Sequence, residues 1–242
     1  MLLENLIKFA TPYKDGIASF NTVVTVFLAL SPIILIINVI KGKEDYKNMP
    51  VLMFLTNVLN NLLWGCFWFR NNEALTTYCS FGCAGIGVVF LICYTFFYSE
   101  KNYGKFVLLL LAQFAAECGI TYIFIKDFIN VDYLGAMIVV INVFQYVAPS
   151  QNLVRVIKEK NYSLIPIFTT IIGTICSGGW LLFGLIVNKL SSIISNGIAL
   201  FVSILTTGIY YYYYFRYPKK EDKEVKKDEL IESTEVPDNK EK

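Results

Sequence analysis

The sequence predicts an all-α integral membrane protein with seven transmembrane helices, arranged as two parallel three-helix repeats joined by a linker helix. Three observations predict this 3+1+3 fold: an apolar composition, seven long apolar runs and an internal repeat. Of the 242 residues, 55% are hydrophobic and 17% are charged, and the mean hydropathy of +0.53 is too high for an ordinary soluble domain.

Seven runs of on the order of 20 apolar residues are long enough to cross a bilayer. We number them spans 1 to 7, near residues 17–40, 49–69, 75–98, 105–125, 131–153, 163–187 and 190–214. The predicted units are an extracytoplasmic segment without signal-peptide features, a first repeat, a linker helix with its loops, a second repeat and a disordered charged cytoplasmic tail: 1–16, 17–98, 99–130, 131–215 and 216–242.

Spans 1 and 5 carry the same sequence pattern. Residues 25–43 and 142–160 share 7 identities in 19 positions at an offset of 117, and both hold a proline in an apolar run. Further along the two copies, an offset of 116 aligns Pro50 with Pro166, Trp64 with Trp180 and Asn72 with Asn188. Two copies of a proline-interrupted membrane unit are typical of a transporter built by duplication.

The odd number of spans sets the direction of the second repeat. A repeat of three spans ends on the opposite side of the membrane from where it began, so span 4 is needed before a second copy can run the same way. Basic residues favour the loops after spans 1, 3 and 5 over the N-terminal segment and the remaining loops, by eight to five. The positive-inside rule therefore predicts an N-terminus outside and a C-terminus in the cytoplasm.

The sequence argues against catalysis and against metal binding. It contains no histidine, which is the commonest general base and metal ligand. Its six cysteines lie within or beside the spans and form no C-x-x-C pair. We therefore expect no enzyme activity, no metal site, no cofactor and no disulfide framework, and we expect no nucleic-acid partner.

Four prolines at matched positions are interpreted as hinges. A transmembrane proline lacks the N–H that would bond back one turn, so the helix kinks or breaks there. For any single proline a static kink is the alternative. The set falls toward the predicted cytoplasmic ends of spans 1, 2, 5 and 6, where we interpret it as the hinges of a gate: Pro32, Pro50, Pro149 and Pro166.

Polar and aromatic residues at helical spacing indicate a ligand site inside the bundle. Asn60 and Trp64 are four residues apart in span 2, and Cys176 and Trp180 repeat that spacing in span 6, so each pair shares a helix face. Indole faces suit the C–H faces of a sugar ring, and an amide offers donors and an acceptor to hydroxyls. Further candidates are Thr25 and Leu28 in span 1, Gln145 in span 5 and Asn196 in span 7.

Packing between helices is the alternative role for each of these residues taken alone. Trp68 illustrates it, because its place near the outer end of span 2 predicts an interfacial anchor.

These features resemble the SWEET (MtN3/saliva) family of sugar transporters over roughly residues 17–217. The resemblance rests on the four prolines, Trp64, Trp180 and the Ser-Asn-Gly stretch at 195–197, and parallel repeats are known in this family. It implies facilitated, bidirectional diffusion of mono- or disaccharides by alternating access, without ion coupling. It also implies a central sugar site lined by Trp64, Trp180 and Asn196, with Thr25, Leu28, Asn60, Gln145 and Cys176 nearby.

The sequence departs from the family pattern in span 3, where an asparagine-glycine pair is usual. The matching stretch 79–85 reads CSFGCAG, so the position that pairs with Asn196 is Ser80 or Phe81, depending on where an alignment gap is placed. A serine keeps one hydroxyl for a ligand, whereas a phenylalanine removes polarity and narrows the site. Both are candidate site residues.

Glu117, four residues after Gln113, is the one acidic residue plainly within a span. A carboxyl at this depth is a candidate for proton coupling, and a structural role is the alternative.

The runner-up function is a PQ-loop-type transporter of another solute such as an amino acid, with proton coupling. A seven-span receptor is disfavoured because the repeat has no evident purpose in one. The expected partners are a small-molecule sugar, the lipid bilayer and, by analogy with the family, further copies of the chain. The plasma membrane is the expected location, with the Golgi or another endomembrane as the alternative.

Overall fold

The computed structural model describes residues 2–43, 45, 51–97, 103–126, 128–162 and 165–217. Nine α-helices lie in these ranges, with a 3-10 turn at Thr11–Tyr13 between the first two: α1 Leu2–Ala10, α2 Lys14–Leu30, α3 Ile33–Ile40, α4 Val51–Arg70, α5 Ala74–Phe97, α6 Tyr103–Ile125, α7 Val131–Glu159, α8 Ile167–Ile186 and α9 Leu190–Arg216. No strand occurs in the described part of the chain. The predicted all-α fold class is confirmed.

The predicted spans correspond to these helices with two differences. Span 1 divides into α2 and α3, and α7 continues past the predicted end of span 5 to Glu159. In the described part of the chain, five helical segments, including the stretch Glu4–Ile40, are long and apolar enough to cross a membrane. Three asparagines interrupt the apolar run of α4. The chain is a multi-pass membrane protein.

The matched prolines do not act alike on the backbone. Pro32 lies at the break between α2 and α3 and caps the start of α3, and Pro166 occupies the same position before α8. Pro149 lies inside α7, which is helical on both sides of it. Pro50 lies outside the described residues. The expectation of equivalent breaks in the two copies therefore fails for the pair Pro32 and Pro149.

The N-terminal segment is more ordered than its sequence suggested. Residues 2–10 form α1, and apolar residues at 3, 6, 7 and 10 follow the spacing of an amphipathic helix. Ala10, on this face, is buried, and α1 contacts α8. With nine residues α1 is too short to cross a membrane by itself, and its contact with α8 places it against the second repeat.

Six helices form a closed ring. Neighbours in contact follow the order α2, α5, α4, α7, α9, α8 and back to α2, while α6 packs outside the ring against α4. In each repeat the third helix, α5 or α9, lies between the other two. The first helix of each repeat contacts the second helix of the other, as α2 with α8 and α4 with α7. This arrangement is what a two-fold relation between the repeats produces.

The duplication extends to the turns that join the helices. Asn72 ends the turn between α4 and α5 at φ 58°, and Asn188 lies in the turn between α8 and α9 at φ 52°. Asparagine tolerates this left-handed region better than other non-glycine residues. The two asparagines align at the offset of 116, so both copies close the same hairpin with the same residue.

Among the described residues, the buried clusters join the two repeats at one end and not at the other. We call the end where α2 begins the Lys14 end and the opposite one the proline end. At the Lys14 end a single cluster combines residues of both repeats, including Ala18, Leu63, Leu134 and Phe183. At the proline end there are two clusters in the described residues. One is built on Phe54 and Phe90 and its neighbours in α3 to α6, and the other lies within α7, α9 and Ile165.

Close packing of α4 on α5 yields a first prediction. A Cβ at Gly65 would lie 2.6 Å from the Phe81 ring, whereas a Cβ at Gly82 would meet no atom within 4 Å. Gly65→Ala should therefore reduce the free energy of unfolding by about 1–3 kcal/mol through overpacking. Gly82→Ala, the matched control, should be neutral or slightly stabilising. Thermal denaturation in detergent measures both, and equal melting temperatures would contradict the packing described.

Candidate functional site

The ring encloses a cavity of about 320 Å³. All six ring helices contribute to its wall, and α6 does not. The described lining residues are Thr25, Leu28, Asn57, Asn60, Asn61, Trp64, Trp68, Cys79, Ser80, Asn142, Gly173, Cys176, Ser177, Trp180, Ser192, Ser195, Asn196, Ala199 and Ser203. None of them carries a charge, and most offer an amide or a hydroxyl. The chemistry of the wall suits an uncharged, hydroxyl-rich solute.

Most of the residues proposed from sequence meet in this cavity. The structure places eight of them in its wall: Thr25, Leu28, Asn60, Trp64, Ser80, Cys176, Trp180 and Asn196. Phe81 is not among the lining residues, because its ring packs against Gly65 of α4. The side chain of Gln145 lies outside the described residues.

The cavity wall repeats itself at the offset of 116. Six pairs of aligned positions line it from both repeats: 57 and 173, 60 and 176, 61 and 177, 64 and 180, 79 and 195, 80 and 196. The alignment therefore needs no gap in span 3, and the structure pairs Asn196 with Ser80. The positions match but the chemistry does not, since three asparagines on α4 face glycine, cysteine and serine at the same positions of α8.

Trp180 is held in place by a threonine of the other repeat. Its Nε1 donates a hydrogen bond to Thr25 Oγ1 at 2.8 Å. The Thr25 hydroxyl donates its one hydrogen bond to the backbone oxygen of Asn21 at 2.7 Å. Cys176 Sγ lies 3.2 Å from Thr25 Oγ1, and because the hydroxyl proton is already used, the thiol is the donor in that contact. Because Thr25 is on α2 and Trp180 is on α8, these bonds join the two repeats beside the cavity.

Asn196 is fixed from its own helix. Its Nδ2 donates to Ser192 O at 2.9 Å and lies 3.3 Å from Ser192 Oγ. The side-chain oxygen of Asn196 is left as an acceptor for a ligand. Its counterpart Ser80 donates its proton to Thr76 O at 2.9 Å, so only its lone pairs are available. The pair offers fewer hydrogen bonds than two asparagines would.

Trp68 corrects the expectation of an interfacial anchor. Only 4% of it is exposed, and its ring stacks on Trp64 with 5.8 Å between centroids and 16° between planes. It also meets Phe183 edge to face at 5.5 Å. Trp68 does lie near the end of α4, as predicted, but Phe183 of the second repeat packs against its ring. Trp68 therefore belongs to the wall that closes the cavity toward the Lys14 end.

Several polar lining residues were missed by sequence analysis. Asn57 lies three residues before Asn60, and Asn61 lies three residues before Trp64, a spacing on one side of α4 that could have revealed them. On α4, Asn61 Nδ2 donates to Asn57 Oδ1 at 2.7 Å. Asn142 of α7 donates to Ser195 Oγ of α9 at 3.3 Å, so both line the cavity from within the second repeat.

Asn21 was missed as well. It is 0% exposed, and neither atom of its side-chain amide has a hydrogen-bond partner among the described residues. Gly179 of α8 approaches so closely that a Cβ there would overlap the Asn21 amide. Asn21, Thr25 and Leu28 follow the i, i+4, i+7 spacing of one helix face, which is the signal that could have found it.

Comparison with known proteins assigns the chain to a family. A family model described as "Sugar efflux transporter for intercellular exchange" (MtN3_slv) matches residues 16–102 and again residues 132–220. The chain belongs to this family, the SWEET family. The two matches begin 116 residues apart, which is the offset that aligns the cavity walls. The resemblance inferred from prolines and tryptophans is confirmed.

Relatives that bear SWEET names cover most of the chain at modest identity. The sugar transporter SWEET1 of Caenorhabditis elegans is 25% identical over 208 residues, covering 85% of this chain and 67% of that protein. SWEET1 of Dictyostelium discoideum is 26% identical over 217 residues, covering 84% and 91%. The bidirectional sugar transporter SWEET1 of Arabidopsis thaliana is 26% identical over 199 residues, covering 79% and 80%.

The solved structure of a eukaryotic SWEET transporter has the same fold. It superposes with a TM-score of 0.76 at 17% identity, covering 85% of this chain and 98% of that one. The seven-helix 3+1+3 layout predicted from the odd linker span fits this fold. Together these matches favour the SWEET interpretation over the PQ-loop alternative.

The bonds around Trp180 yield a second prediction. Thr25→Val removes the acceptor of the indole N–H and leaves a partly buried donor unpaired, which costs about 1 kcal/mol. We expect a lower melting temperature in detergent than for the unmodified chain. Thr25→Ser, the matched control, keeps the hydroxyl and should restore most of the stability. Destabilisation by Thr25→Ser, with Thr25→Val as stable as the unmodified chain, would show that the methyl packing of Thr25 matters rather than its hydrogen bonds.

Proposed function

We propose that this SWEET protein is a sugar uniporter, which carries mono- or disaccharides across the membrane in either direction by facilitated diffusion. The observation that carries the proposal is the uncharged cavity at the interface of the repeats, with three indoles and an array of amides and hydroxyls. Indole faces pack against the C–H faces of a pyranose ring, and amides bond its hydroxyls. The names of the relatives support a sugar as cargo.

Alternating access is supported by the uneven packing of the repeats. At the Lys14 end one cluster joins them, and the stacked pair Trp64 and Trp68 closes the cavity on that side. At the proline end the described core of each repeat is separate. This arrangement corresponds to a state that opens toward the proline end. Rocking about Pro32 and Pro166, whose matched prolines in the other repeat are Pro149 and Pro50 respectively, would expose the cavity to the other side.

The orientation in the membrane completes the proposal. With the N-terminus outside, the proline end faces the cytoplasm, which agrees with the excess of lysine and arginine in the loops at that end. The plasma membrane is the proposed location, and a homo-oligomer is the proposed assembly by analogy with the family.

Transport by the purified protein in liposomes tests the function. We expect saturable counterflow of labelled glucose, fructose or sucrose without an ion gradient. Asn196→Ala and Trp180→Ala should each reduce the rate about tenfold or more, because each removes contacts to the sugar worth about 1–3 kcal/mol. Phe168→Ala is the matched control, since Phe168 lies on α8 and is 75% exposed. Wild-type rates in both site variants would contradict the proposed site.

The linker helix supplies a separate prediction. Glu117 is buried outside the cavity, and its Oε1 accepts a hydrogen bond from Gln113 Nε2 at 2.7 Å. Gln113 Nε2 also lies 3.3 Å from Leu55 O of α4, so the pair ties α6 to the ring. Glu117→Gln keeps the acceptor and should leave counterflow unchanged, with no response to an imposed pH gradient. Flux that follows the gradient in the wild type and not in the variant would instead assign proton coupling to Glu117.

A further inference from the structure

The cavity extends well beyond the two tryptophans. On α4, residues 57, 60, 61 and 64 line it, and on α8, residues 173, 176, 177 and 180 line it at the same spacing. Asn57 and Gly173 therefore lie two helical turns, about 10 Å, from Trp64 and Trp180 toward the proline end. Ser203 of α9 stands at the same seven-residue distance from Asn196. The wall is thus long enough for more than one ring.

The α4 side of this extension is equipped for hydroxyls. Asn61 Nδ2 donates to Asn57 Oδ1 at 2.7 Å and to Asn57 O at 2.8 Å, which fixes the orientation of both amides. Among the described residues, none accepts a hydrogen bond from Asn57 Nδ2 and none donates one to Asn61 Oδ1. A donor and an acceptor are therefore held next to each other. Adjacent hydroxyls of a sugar are complementary to such a pair.

The α8 side of the extension supplies space. Gly173 is the counterpart of Asn57, and a Cβ placed on it would meet no atom within 4 Å. Ser177 is the counterpart of Asn61, and its hydroxyl donates a hydrogen bond to Gly173 O at 2.8 Å. The break in symmetry thus sets a polar wall against a recess, where two identical walls would have narrowed the cavity.

We propose that Asn57, Asn61, Gly173, Ser177 and Ser203 form a second subsite, which holds the second ring of a disaccharide while the first ring lies between Trp64 and Trp180. The proposal rests on the function proposed above and names its substrate class. Asn57 and Asn61 bond adjacent hydroxyls of the second ring, and its opposite face occupies the space left by Gly173. A monosaccharide fills the central site and leaves the second subsite to water.

Inhibition of glucose counterflow by unlabelled sucrose and by unlabelled maltose tests the subsite in liposomes. For the wild type, at least one of these disaccharides should inhibit at a lower concentration than unlabelled glucose. Gly173→Leu fills the recess and should raise the inhibitory concentration of that disaccharide about tenfold more than it raises the KM for glucose. Gly82→Leu is the matched control, because Gly82 is also a helical glycine with open space around it but does not line the cavity.

Asn57→Leu keeps the volume and removes the donor, so it should weaken inhibition by the disaccharide in the same selective way. Asn196→Ala, in the central site, should weaken glucose and disaccharide alike. Equal effects of Gly173→Leu on glucose and disaccharide, or no inhibition by either disaccharide in a wild type that transports glucose, would overturn the subsite alone. Absence of any sugar flux in the wild type would overturn the proposed function and the subsite with it.

Discussion

The contact between α2 and α8 is the constraint on which the rest of this structure depends. There the indole of Trp180 donates to Thr25, and the same threonine oxygen accepts from Cys176. The bonds connect two repeats whose described cores are separate at the proline end, and they fix the indole of Trp180 in the cavity wall. In a bilayer no hydrophobic driving force brings helices together, so polar bonds and close packing of this kind must do so. The same bonds therefore determine both the relative position of the two repeats and the shape of the cavity.

A symmetric frame carries an asymmetric lining. Contacts between helices, left-handed asparagines in the hairpin turns and six pairs of lining positions all repeat between the halves. The side chains at those positions diverge, with amides on α4 and small residues on α8. A rocking motion requires equivalent interfaces, whereas recognition of a sugar, which has no symmetry, requires different ones. Duplication followed by divergence of the lining side chains satisfies both requirements.

The fold and most of the candidate site could be predicted from sequence because both leave periodic signals. Apolar runs reveal helices, and the offset of 116 transfers positions such as Trp64 and Trp180 from one copy to the other. The failures concern residues whose environment is made by distant segments. Trp68 has the position of an interfacial anchor near the end of α4, but Phe183 of α8 packs against it, and Phe81 differs from Ser80 because its ring packs against Gly65. Helix α1 was missed because its partner is in the second repeat.

The unpaired amide of Asn21 bears on how fast the repeats separate. It is enclosed at the α2–α8 contact beside Gly179, without a hydrogen-bond partner among the described residues. Enclosing such a group costs about 1–3 kcal/mol, and that cost disappears when the contact opens and water reaches the amide. An apolar residue at this position would lower the free energy of the closed state and lengthen its lifetime. Under the alternating-access mechanism proposed above, Asn21 therefore brings the free energies of the closed and open states nearer to each other, which shortens the transport cycle.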